Sequence, residues 1–124
     1  MANDYAPIFV PGTAITLQAA GPIEAGDPVE VFGPGTIRRA EAGSEKYIGV
    51  AGHAAVLGGL VTVFAGKLVH VGPAEGDIPA GSPVMTSGEL DRQVIIAADP
   101  ADPNVIGIAL TTAADNDDCR WLQY

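Results

Sequence analysis

The chain states one structural unit twice, and that repetition constrains its fold more than any other feature. Ile23-Glu24-Ala25-Gly26-Asp27-Pro28-Val29 returns as Ile78-Pro79-Ala80-Gly81-Ser82-Pro83-Val84, an offset of 55 residues (78 − 23). Ile48-Gly49-Val50-Ala51 returns as Ile106-Gly107-Ile108-Ala109, an offset of 58 (106 − 48), so three extra residues must fall in loops of the second copy. Each repeat must be a small supersecondary unit that completes its core against itself or its twin. The glycine of Ile-x-Ala-Gly-x-Pro-Val suits a turn conformation closed to other residues. The proline then starts a strand where no amide donor is needed.

The segments between turns are short. Gly 16 and Pro 10 in 124 residues are scattered so evenly that typical helices do not fit between them. Ile15 and Leu17 alternate with Thr16 and Gln18, Val29 and Val31 flank Glu30, Val61 and Val63 flank Thr62, and Val69 and Val71 flank His70. This is the two-residue period of half-buried strands. Many short strands at regular spacing predict an all-β fold, a compact antiparallel β-sandwich or barrel built from two pseudo-repeats, at about 23–71 and 78–124. Phe64 to Leu68 reads as a tight hairpin joining two strands.

Residues 1–12 belong to neither repeat, and the β domain is expected to span 13–124. Pro7 and Pro11 bar regular helix in this leading segment, yet it holds Tyr5, Ile8, Phe9 and Val10. An extended arm this apolar needs burial, either across its own domain or against a neighbouring subunit.

Composition narrows the function classes. A 48% hydrophobic content is enough for a core without staples, and the lone Cys119 cannot form an internal bridge. No signal-peptide pattern opens the chain, and the apolar run from Val50 to Ala65 is broken by His53 and several glycines, so secretion and membrane spanning are disfavoured. A net charge of −9 with no basic cluster beyond Arg38-Arg39 argues against nucleic acid. It suits a protein displayed in many copies toward solvent.

No constellation carries chemistry. His53 and His70 lack ligand-spaced Cys, Asp or Glu, and Asp115-Asn116-Asp117-Asp118 lacks the glycine and distal glutamate of a calcium loop. Ser44, Ser82 and Ser87 have no nucleophile-elbow context, and glycine-rich phosphate motifs are missing. Lys67 lacks the acidic or methionine neighbours of a swinging-arm lysine. The expectation is a non-enzymatic protein with no metal and no cofactor. Trp121, Leu122 and Tyr124 form a closing aromatic strand, with Trp121 and Tyr124 open to a core or an interface role.

The opening Ala2 to Gly12, the Ala25 to Val29 turn, Tyr47 to His53, Val61 to Val63 and Val105 to Ala109 together resemble small capsid decoration proteins of tailed bacteriophages, especially those infecting actinobacteria. The similarity covers nearly the whole chain through short glycine-rich motifs kept in order. It implies a virion protein made in the host cytoplasm, bound as a homotrimer or a related cluster to the outer capsid surface, where it cements major capsid protein subunits. On that reading Tyr5, Ile8, Phe9 and Val10 contact the capsid or a sister subunit. The competing class is a small-molecule or carbohydrate-binding β module, or a regulatory accessory domain of an enzyme, since pockets form between duplicated halves.

Overall fold

A computed structural model describes residues 14–124. Ten strands make two closed five-stranded barrels. The first contains β1 (Ala14–Ala19), β2 (Pro28–Gly33), β3 (Thr36–Arg39), β4 (Tyr47–Ala51) and β5 (Leu60–Phe64), and the second contains β6 (Val69–Glu75), β7 (Pro83–Thr86), β8 (Val94–Ile96), β9 (Gly107–Ala109) and β10 (Asp118–Gln123). Each barrel closes in the same order, β1-β3-β2-β4-β5 in one and β6-β8-β7-β9-β10 in the other. Pairing is antiparallel except for one parallel contact per barrel, β1 with β3 and β6 with β8. Closure leaves neither sheet with a long free edge.

Both sequence landmarks have a structural cause. Gly26 and Gly81 hold φ of 85° and 86°, a left-handed conformation that side chains disfavour, and Pro28 and Pro83 are the first residues of β2 and β7. Ile23 and Ile78 each form an isolated bridge, to Ala55 and Ala113, whose own offset is 58 (113 − 55). Gly49 and Gly107 lie where neighbouring strands come close. A Cβ there would overlap the carbonyl oxygen of Phe64 or Leu122.

The extra residues can be located from register. Ala19 pairs with Ile37 in the first barrel and Ala74 with Val94 in the second, so the offset has grown to 57 (94 − 37) by the third strand. Two of the three extra residues therefore lie between β7 and β8, where the short β2–β3 hairpin becomes the loop Ser87 to Gln93. The third falls between β8 and β9.

Cores correspond position by position. Ala19, Ile23, Val29, Ile37, Ala51, Val61 and Val63 fill the first barrel, and Ala74, Ile78, Val84, Val94, Ala109, Cys119 and Trp121 stand in the matching places of the second. Trp121 replaces the much smaller Val63. At another position the second barrel is small where the first is large, with Gly72 standing where the first has Leu17. The side chain of Gln93 lies directly against Gly72, so no Cβ fits there.

Three local expectations are corrected. Phe64 to Leu68 is not a hairpin, because β5 and β6 belong to different barrels and do not pair; the segment links the two. In β6 the faces are reversed, with His70 buried and Val69 and Val71 about half exposed. The first barrel explains this: His70 occupies the place of core-facing Ile15. In β2, register shifts break the alternation, burying Glu30 and leaving Val31 exposed.

Candidate interaction surface

The two barrels share a seam built by the loop that the second copy gained. Arg39 donates hydrogen bonds to the carbonyls of Gly88 and Glu89 in that loop and lies 3.5 Å from Asp27. Thr86 accepts from the Ser44 amide at 2.8 Å and donates to the Glu41 carbonyl at 2.6 Å. Gln93 spans both barrels: its Nε2 donates to the Gly26 carbonyl at 3.0 Å, and its Oε1 accepts from Trp121 Nε1 at 2.8 Å. Val50 turns out of the first barrel and joins the second barrel's apolar cluster, with Tyr47 packed beside it.

A polar knot closes the other side of this seam. Gln123, nearly inaccessible, accepts hydrogen bonds from Tyr47 and from His70 Nε2 and donates to the Gly66 carbonyl. Burial holds His70 below its ordinary value, partly opposed by the Gln123 contact, and burial raises the Tyr47 phenol. Desolvation is what disfavours the charged imidazolium at this buried position. Glu30 is pushed up by burial, but the Ser44 hydroxyl, the Glu41 amide and Arg38 together outweigh this and lower it overall. Of these groups, the Tyr47–Gln123 bond crosses between the barrels while the Glu30 cluster lies within the first, and among the described residues no set of three or more His, Cys, Asp or Glu side chains could hold a metal ion.

The sequence-derived contact residues divide clearly. Tyr5, Ile8, Phe9 and Val10 lie outside the described residues. Trp121 is fully buried in the second barrel, tilted against His70 and Tyr47. Tyr124 is exposed and borders a shallow cleft with Tyr47, Asn104 and Gln123. Lys67 sits exposed in the linker. His53 is exposed, with its Nε2 accepting from the Thr62 amide.

Sequence reasoning passed over the most apolar exposed feature. The β4–β5 turn of the first barrel presents Val56, Leu57 and Leu60 at 74%, 72% and 68% exposure. Val56 and Leu60, with Ala54, Ala55, Gly59 and Ile23, line a shallow groove there. The available signal was electrostatic, since no Asp, Glu, Lys or Arg occurs between Lys46 and Lys67.

No protein-family model matches the chain, and no curated protein matches it either. Among solved structures it is similar to the N-terminal base of the head fiber protein gp8.5 of bacteriophage phi29. The TM-score is 0.66 and the identity 22%, over 90% of this chain and 92% of that one. At that identity the likeness establishes a shared fold.

Proposed function

We propose that this chain is a non-enzymatic structural protein of a tailed-phage virion. It is made in the host cytoplasm and binds the outer surface of the head as a homotrimer, stabilising contacts between major capsid protein subunits. The observation that carries this reading is the twin-barrel fold, which matches a phage head-fiber base over nine-tenths of both chains. The sequence resemblance to decoration proteins points the same way by an independent route. Because the neighbour comes from phi29, this support extends to a place on a phage head and does not reach the actinobacteriophage type in particular.

A scaffold of this kind suits display. Both barrels are closed, their polar groups tie one to the other, and a net charge of −9 keeps many copies soluble. The apolar leading segment is the attachment element: an extended chain adds to an exposed edge through main-chain hydrogen bonds, while Ile8 and Val10 fill pockets and Tyr5 and Phe9 anchor. Three such segments on one trimer gain avidity from modest individual contacts.

The test is co-sedimentation with expanded heads assembled from the major capsid protein encoded beside it. The full chain should pellet with heads in a saturable ratio, and a chain lacking the residues before Gly12 should not. Equal binding by the shortened chain would remove the segment's role, and no binding by the full chain would remove the head assignment itself.

A further inference from the structure

The duplication supplies an internal control for the apolar tip. The β4–β5 turn of the first barrel and the β9–β10 turn of the second have the same backbone: Gly58 and Asn116 both hold positive φ, 82° and 68°. The Gly59 amide donates to the Val56 carbonyl at 2.8 Å, and the Asp117 amide donates to the Ala114 carbonyl at 3.0 Å. The Gly58 amide meets the Ala19 carbonyl, and the Asn116 amide meets the Ala74 carbonyl, each at 2.8 Å.

Residue by residue, Val56, Leu57, Gly58, Gly59 and Leu60 correspond to Ala114, Asp115, Asn116, Asp117 and Asp118. The same turn backbone therefore carries an acidic surface in the second barrel. Leu57 and Leu60 are largely exposed, so the first barrel's core does not require them to be apolar; of their exposed counterparts Asp118 faces solvent and Asp115 turns its Oδ1 back to accept from the Gly76 amide at 2.8 Å. Exposed apolar clusters on an otherwise acidic protein mark contact sites.

We infer that this tip is the self-contact of the chain: copies associate through Val56, Leu57 and Leu60 around a rotational axis. Charge selects a second copy as the occupant. A residue lying on such an axis faces its own image, so a charge placed there meets the same charge at close range. With 15 acidic and 6 basic residues, most surfaces of this chain would repel themselves, and the acidic tip of the second barrel most of all. The stretch from Tyr47 to Gly66 carries no charge and presents apolar side chains at its tip. A different acceptor would impose no such restriction, since a basic patch on it could match the acidic surface directly.

Three side chains per copy offer far less than the roughly 800 Å² per partner of a standard interface. Association through this tip is therefore weak and depends on concentration. The inference deepens the oligomeric part of the proposed function and is tested separately from head binding.

The experiment is sedimentation velocity on the full chain from about 1 µM to several hundred µM, beside Leu57→Asp/Leu60→Asp, which copies the second barrel's own residues at those places. Thermal melting of both chains checks that the variant folds. The wild type should shift from monomer to a cyclic oligomer over this range, and the folded variant should need about 100-fold higher concentration to do so. A wild type that stays monomeric throughout would overturn the inference and leave the tip to another polypeptide or to the chain's own leading segment. So would a folded variant that assembles as readily as the wild type. Should the variant stop assembling, the head co-sedimentation of both chains then reads the capsid role on its own.

Discussion

Replacing Gln93 by leucine tests whether the two barrels are joined by the bonds described above. Gln93 is 2% exposed, donates to Gly26 in the first barrel and accepts from Trp121 in the second. Leucine keeps most of the volume beside Gly72 but strips the acceptor from a fully buried indole N–H and the donor from the Gly26 carbonyl. An unsatisfied buried group costs about 1–3 kcal/mol; the Trp121 N–H is buried while the Gly26 carbonyl is only partly so, so the change should lower stability by about 1–3 kcal/mol. Domains of this size have only about 5–15 kcal/mol in total. Urea unfolding followed by far-UV circular dichroism measures the loss. Trp121→Phe removes the stranded donor, so Gln93→Leu/Trp121→Phe should be less destabilised than the sum of the single variants by about 1–2 kcal/mol. A single-variant loss below about 1 kcal/mol, or strict additivity, would refute the bridging role.

Three further outcomes follow from the same structure. Gly107→Ala forces a Cβ onto the Leu122 carbonyl and should cost about 2–3 kcal/mol in the same urea assay, whereas Gly21→Ala, with open space around it, should cost far less; equal losses would contradict the close-approach argument. His70 is held below its ordinary 6.5, so the unfolded chain takes up the proton first. The stability from a neutral His70 is complete above pH 6.5 and declines as pH falls toward the folded-state value, and His70→Gln should flatten that slope. Glu30, held below 4.5, adds a second loss as pH falls below 4.5, and a denaturation midpoint that does not change between neutral pH and pH 4 would contradict both. Cys119 is fully buried with its thiol raised by burial, so a thiol reagent should label it only at the rate of unfolding; rapid labelling of the native chain would mean the second barrel opens.

Much of this architecture was legible because duplication wrote each constraint twice. The Ala-Gly-x-Pro-Val turns, the strand-starting prolines and the Ile-Gly-x-Ala strands could be read from sequence, since each depends on local backbone geometry. Strand faces were harder to read. His70 looked outward-facing between two valines, and only its equivalence to Ile15 through barrel closure shows why it is buried. Phe64 to Leu68 had the composition of a hairpin, but its flanking strands pair elsewhere, a choice made by contacts distant in sequence. The parallel pairings of β1 with β3 and β6 with β8 were equally invisible, because they arise from closing each barrel.

The interaction surface was read unevenly. Trp121 reads first as core with an interface as the lesser alternative, and the structure buries it with its ring packed where a Cβ at Gly107 would stand. Val56, Leu57 and Leu60 drew no notice as part of an interrupted apolar run, and became distinctive only beside Asp115 and Asp118 on the same turn of the twin barrel.

A cryo-EM map of heads assembled with the full chain tests the central claim most directly. The account predicts twin-barrel density on the outer surface, three copies grouped about an axis and attached over the junctions between capsid subunits. Heads that remain bare at saturating protein, or twin barrels found only away from the head shell, would contradict it.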